Sequence, residues 1–160
     1  MALAPGQMPL VEAVAEQSHP PQLYESNECF LHKMALFPAG ALGFFDGGTL
    51  AGYAFSHPWA THFPAPINEI IEMPPFPDCL YVHDIAVAPE FRRRGVATAL
   101  LEATISVAIK NGFLVLSGVA VNGSEDHWRR RGFVVGKFFN YYGVLGYPVV
   151  MWLSVGEIPC

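Results

Sequence analysis

The chain has 160 residues, 52% hydrophobic and 14% charged, with a formal net charge of −5. That length suits one domain over residues 1–160 with a sizeable core, and the composition excludes a disordered chain. The acidic balance excludes the broad basic surface that nucleic-acid binding needs, and no apolar run reaches the length of a membrane span.

The opening "MALAPGQMPLVEAV" carries neither the basic flank nor the cleavage signal of a secretory leader. Residues 8–18 and 26–36 are weakly helical around the breaker "SHPPQ", with Ser26 as N-cap and Glu28 near the positive helix end. Residues 40–46 and 49–57 are apolar runs around "DGG", a hairpin signal, and "HPW" ends the second strand. Residues 58–78 hold six of the 14 prolines and form a long irregular loop, functional or mobile. "CLYVHDIAVA", residues 79–88, is a strand. "PEFRR" turns into a helix from about Arg94 to Asn111, with apolar residues at helical spacing and Gly112 as the stop. Residues 113–121, "FLVLSGVAV", are an apolar strand covered on both faces, as in a βαβ unit. A short helix follows in "NGSEDHWRRRG", capped by Ser124 or Asn122, then β-rich stretches at 133–141 and 147–155. The expected architecture is a mixed α/β sheet.

Cys29, Cys79 and Cys160 are odd in number and lack metal-ligand spacing, so reduced thiols, a cytoplasmic setting and no metal are expected. All six arginines lie in two triplets, 92–94 and 129–131. Positive charge at a helix N-terminus opposes the dipole, unless an anion neutralises both. A strand that enters a helix through a glycine turn leaves backbone N–H groups without helical acceptors, and such an end binds phosphate. Gly95 admits a ligand where a Cβ would obstruct, and the guanidiniums add charge-assisted bonds. Neither "GxxxxGK[ST]" nor "GxGxxG" is present, which removes the main sequence support for nucleotide hydrolysis and dinucleotide redox chemistry.

The segment Arg92-Arg93-Arg94-Gly95-Val96-Ala97 resembles the acetyl-CoA turn of the GCN5-related N-acetyltransferases: Gln or Arg, two residues, Gly, one residue, then Gly or Ala. Val87, Pro89 and Phe91 match the usual approach to that turn, and "HWRRRGF" is similar to the second signature, commonly "FYEKxGF". The likeness covers about residues 40–135. It implies a twisted mixed central sheet with helices on both faces and two splayed parallel central strands, here 79–88 and 113–121. It implies that N–H groups of residues 93–98, from Arg93 to Thr98, hold the coenzyme A pyrophosphate. It further implies that Ile85, Ala86 and Val87 bond the pantetheine arm, and that Asn122 and Ser124 contact it from the other strand. The family normally begins with a strand, and "MALAPGQMPL" is a poor one, so that strand is short or missing.

Acetyl transfer needs a neutral amine, a proton acceptor and a stabilised thiolate. The tyrosine that often serves as the family's acid is replaced by Trp128, whose indole is no practical acid, so Trp128 is read as a pocket wall. Arylalkylamine N-acetyltransferases carry histidines at the positions of Tyr81 and His83, so the resemblance implies His83 as base; the other reading is a hydrogen-bonded strand residue with catalysis through water. Tyr81 shares its face and is a candidate acid. Strand alternation points Asp84 to the opposite face, a count that the bulge the resemblance implies in this strand would upset.

Arg129, Arg130 and Arg131 read as a solvated helix end or a second phosphate clamp. His57, Pro58, Trp59, His62 and Phe63 are placed at the mouth of the cleft, as substrate contacts or a capped strand end. Glu69, Glu72 and Asp78 would draw in a cationic amine or serve solubility. "KFFNYYG" reads as packing or a homodimer contact. The expected function is acetyl-CoA-dependent transfer to a primary amine in a ternary complex. The alternatives are a non-catalytic acyl-CoA-binding module and a protein acetyltransferase.

Overall fold

The structure, a computed structural model, describes residues 1–137 and 139–152. Two helices, α1 (Met8–Ser18) and α2 (Asn27–Leu36), precede the sheet. The Ser26 hydroxyl accepts the Cys29 N–H at 3.4 Å and caps α2 as expected. Strands β1 (Ala41–Asp46) and β2 (Thr49–Trp59) form the predicted hairpin, turning through Gly47 and Gly48 at φ of 54° and 85°. β3 (Cys79–Val87) lies antiparallel to β2, and α3 (Val96–Lys110) carries the chain over to β4 (Val115–Val121), parallel to β3. After α4 (Glu125–Arg129), the short strands β5 (Val134–Val135) and β6 (Phe139–Tyr141) both pair with β7 (Val144–Trp152), which lies antiparallel to β4. Among the described residues the sheet has seven strands in the order β1-β2-β3-β4-β7-β5, with β6 also on β7. At the other edge Ala2 makes one antiparallel bridge to Leu42.

α1 and α2 cover one face of the sheet, burying Val11, Phe30, Tyr53 and Phe55 together. α3 covers the other, where Leu80, Leu101 and Leu116 pack in one cluster and Ala54, Val96 and Leu100 in the next. Each such large apolar side chain contributes about 1.5–3 kcal/mol by leaving water. No helix among the described residues is long and apolar enough to cross a membrane.

Two features of β3 create the site. First, β3 and β4 pair only at Leu80–Leu116, Tyr81–Ser117 and Val82–Gly118, and beyond Val82 they part. Gly118 permits the last close approach, because a Cβ there would lie 3.0 Å from the Val82 carbonyl oxygen. Second, the register with β2 jumps from Phe55–Asp84 to Ser56–Val82, leaving His83 as the extra residue of a bulge. The bulge corrects the alternation argument: His83 and Asp84 both face α1 and α2, as their contacts with Glu25 and His19 show.

The helix expected from Arg94 begins at Val96, because Arg93 and Gly95 are left-handed at φ of 62° and 80° and break helical geometry. The stretch 133–141 divides into β5 and β6. Phe138 and residues 153–155 lie outside the described residues.

Candidate active site

A cavity of about 360 Å³ fills the gap where β3 and β4 separate. At one end, Gly95 precedes α3, and Ala99 is the first residue whose N–H finds a helical acceptor, the Gly95 carbonyl at 3.0 Å. Among the described residues, the N–H groups of Val96, Ala97 and Thr98 have no backbone acceptors, and they lie in the positive field of the helix end. Gly95 has a φ of 80°, which a residue with a Cβ adopts only under strain, and the space above it is open.

Arg92 donates from Nε to the Val87 carbonyl at 3.3 Å, and Arg94 lies over the Phe91 ring, 5.5 Å from its centroid. Arg93 is exposed. The second arginine triplet divides. Arg129 pairs with Asp126 in solvent at 3.0 Å, the solvated role expected of it. Arg131 instead reaches over the cavity, donating from Nη2 to Thr98 Oγ1 at 3.0 Å and from Nη1 to the His127 carbonyl at 3.1 Å. Asn122, Ser124 and Trp128 line the same end, with Trp128 edge-on to Phe133. Ser124 occupies the N-cap position of α4, but its hydroxyl caps no N–H.

The middle of the cavity is walled by Val82, Ile85, Ala86 and Val87. At the far end stand Tyr81, His83, Asp84, His19, Glu25, Leu23, Ile67 and Tyr141. Glu25 and Lys33 are 4% and 1% exposed and join at 2.6 Å through Oε2 and Nζ; the other carboxylate oxygen meets His83 Nε2. Burial pushes the Glu25 carboxyl up, but the charges of His83 and Lys33 outweigh it and hold it at about 2. His83 Nδ1 faces His57 Nε2 at 3.1 Å, and His57 Nδ1 faces the Pro58 carbonyl at 3.1 Å. His57 is fully buried, and burial, aided by the charge of His83, lowers its pKa to about 3. The proton positions follow. Pro58 accepts from Nδ1–H of a neutral His57, whose Nε2 accepts from His83 Nδ1–H, and the Glu25 carboxylate accepts from His83 Nε2–H.

A second chain of contacts runs beside the first. Tyr53 donates its O–H to Asp84 Oδ2 at 2.6 Å, and His19 Nε2 lies 2.8 and 2.9 Å from the two Asp84 oxygens. Asp84 raises the pKa of His19 against the opposing effect of burial. Burial also pushes the Tyr81 phenol up; its neighbour Tyr141 donates to the Ala65 carbonyl at 2.7 Å. The Ile67 N–H donates to Tyr142 Oη at 3.3 Å. These two bonds fasten the proline-rich loop to the β6–β7 turn and roof the far end of the cavity.

Several sequence expectations are thereby relocated. His57 lies behind His83, not at a cleft mouth, because β2 continues through Trp59; His62 and Phe63 lie outside the cavity. Glu69, Glu72 and Asp78 do not line it either, and the carboxylates that do are Glu25 and Asp84. Lys33, Glu25, His19 and Tyr53 were not legible as site residues, and Arg131 was read only as one of a triplet that is either solvated or a phosphate clamp. One signal existed for Lys33: it falls on the stripe of Cys29, Phe30 and Met34, the buried face of α2.

A sequence model described as the Acetyltransferase (GNAT) family matches residues 9–133. The chain belongs to the GNAT acetyltransferase family. Solved GNAT-type structures share its fold at low identity. The ribosomal-protein-S18-alanine N-acetyltransferase from Escherichia coli is 18% identical, with TM-score 0.72 over 100% of this chain and 96% of that one. Ard1 from Thermoplasma volcanium is 18% identical, with TM-score 0.79 over 96% and 95%. The GphF GNAT-like decarboxylase in complex with isobutyryl-CoA is 16% identical, with TM-score 0.78 over 96% and 98%. No curated protein sequence gives a significant match. Membership confirms the resemblance carried by residues 92–97, and the splayed pair β3 and β4 is the family's central gap.

Proposed function

We propose that the protein transfers the acetyl group of acetyl-CoA to a primary amine of a small molecule, by direct attack in a ternary complex. The observation that carries this reading is the convergence of unpaired N–H groups of α3 with Arg92 and Arg131 at one end of a cavity whose other end holds Glu25 and Asp84. The diphosphate of the coenzyme takes the positive end, in contact with Arg92 to Arg94 and the amides from Gly95 to Thr98. The pantetheine arm runs along Ile85, Ala86 and Val87, with Asn122 and Ser124 opposite and Trp128 as a wall. The carboxylate end suits an ammonium that arrives charged and reacts neutral.

Tyr81 and His83 are the proposed catalytic side chains of the acceptor end. Because both ring nitrogens of His83 are engaged, its proposed contribution is positive charge beside the developing oxyanion, while Tyr81 bounds the acceptor. Holding amine and thioester together supplies most of the acceleration. The roof made by Tyr141–Ala65 and Tyr142–Ile67 supports a small acceptor over a protein chain.

Calorimetry with coenzyme A and acetyl-CoA, followed by thiol release with small primary amines and with lysine and N-terminal peptides, tests the reading. Coenzyme binding with turnover of small amines is expected. Binding without turnover would favour the non-catalytic module, and peptide turnover alone a protein acetyltransferase.

A further inference from the structure

We propose that His19 takes the proton from the attacking nitrogen, its ring held in place by Asp84 and Tyr53; this rests on the acetyl-transfer reading above. Three histidines line the cavity. His83 has both ring nitrogens engaged, by Glu25 and His57. His127 lies on α4 at the coenzyme end, close to Arg130 and Arg131. His19 alone of the three combines a carboxylate at one nitrogen with a second nitrogen that has no partner among the described residues.

The geometry specifies the tautomer. Asp84 is acceptor-only and lies on Nε2, so the neutral ring carries its hydrogen there and keeps its lone pair on Nδ1. Asp84 is itself fixed from behind by the fully buried Tyr53. The preceding residue, Ser18, donates its hydroxyl to the Val87 carbonyl at 3.3 Å, which ties the end of α1 to the strand segment proposed to carry the pantetheine arm. Three elements therefore converge to orient a ring that is 15% exposed in the cavity wall. The charged groups facing it are Asp84 from β3, Glu25 from the α1–α2 connection and Arg92 from the turn before α3. The two carboxylates favour the protonated ring and Arg92 opposes it, with a net gain in basicity.

In the reaction, the neutral amine nitrogen bonds to the thioester carbonyl carbon and sheds one proton to His19 Nδ1. As the carbonyl re-forms, the C–S bond breaks and the imidazolium returns that proton to the coenzyme A thiolate. The products are an amide and a free thiol, with the ring restored.

The test uses the full chain, acetyl-CoA and a panel of small primary amines, with coenzyme affinity followed by calorimetry. His19→Gln is expected to lose about 100-fold in kcat, to keep its coenzyme Kd to about twofold, and to lose the rising limb of kcat near neutral pH. Asp84→Asn should lose about tenfold and move that limb to lower pH, because the carboxylate raises the ring's pKa. In the wild-type protein, diethyl pyrocarbonate should label His19, mapped by mass spectrometry, and saturating acetyl-CoA should block the labelling. Unchanged kcat and pH limb in His19→Gln, or labelling that acetyl-CoA does not block, would overturn the assignment while leaving acetyl transfer intact. A chain that binds no coenzyme A, or binds it and acetylates no amine, overturns both.

Discussion

Arg131 Nη2 donates to Thr98 Oγ1 at 3.0 Å, joining the end of α4 to the first turn of α3 across the mouth of the cavity. The bond brings Arg131 of the second arginine triplet to the turn proposed to hold the coenzyme, 33 residues away in the chain. Arg131→Ala should therefore weaken coenzyme A binding about tenfold, the worth of one charge-assisted contact in a solvated setting. Arg129→Ala, which breaks only the exposed pair with Asp126, should leave Kd unchanged. Calorimetry on the two variants separates the roles.

Gly95→Ala tests the turn itself. An alanine at φ of 80° costs about 1–2 kcal/mol, although nothing crowds its Cβ. The relieved backbone swings the N–H groups of Val96 to Thr98 out of line. A drop in melting temperature together with weaker coenzyme binding is expected; a stable variant with full affinity would show that the left-handed glycine is dispensable.

Lys33 and Glu25 form an ion pair inside the α1–α2 face of the protein. Removing Lys33 leaves His83 as the remaining partner of the buried carboxylate, so Lys33→Met should cost about 3 kcal/mol in urea unfolding. Glu25→Leu removes the shared partner of Lys33 and His83 at once, so it should cost more, about 5 kcal/mol. A larger loss in Lys33→Met than in Glu25→Leu would contradict Glu25 as the shared partner.

Acid should destabilise the fold through two groups. The Glu25 carboxyl titrates at about 2 in the folded protein, below its ordinary 4.5, so its contribution is present above about pH 4.5 and is lost as pH falls towards 2. His57 stays neutral in the folded state down to about 3, whereas the unfolded imidazole takes up a proton near 6.5. Its contribution therefore declines from about pH 6.5 down to 3. His19 works in the opposite sense: its raised pKa stabilises the folded state below 6.5 and that gain is lost as pH rises through the folded value. Urea midpoints measured from pH 3 to 8 should fall on the acid side, and His57→Gln should flatten the part between 6.5 and 4.5.

The elements legible in the sequence are those whose causes are local. Ser26 caps α2 through a residue three positions on, and Gly47 and Gly48 turn the hairpin by their own dihedral freedom. The turn proposed to hold the coenzyme was legible for the same reason, since Arg92 to Ala97 is one continuous segment and the first N–H groups of the helix it opens lack helical acceptors by geometry alone. The acceptor end was legible only in part. Tyr81 and His83 were named from the family resemblance at their positions on β3, but the partners of His83 lie far off: Glu25 is 58 residues away, and His57 is 26. A lysine in the last turn of a helix ordinarily compensates the dipole in solvent, and Lys33 is instead enclosed because α2 presents that stripe to the sheet.

By itself, then, the order of residues determined the mixed sheet and the glycine turn into α3, because periodicity, caps and positive-φ glycines act within a few residues; the parting of the two central strands was implied by the family resemblance. Tertiary structure alone decided the chemistry at the other end of the cavity. One extra residue at His83 turns Asp84 to the same face and so brings it to His19 and Tyr53, and no local pattern encodes a bulge whose cause is the pairing with β2.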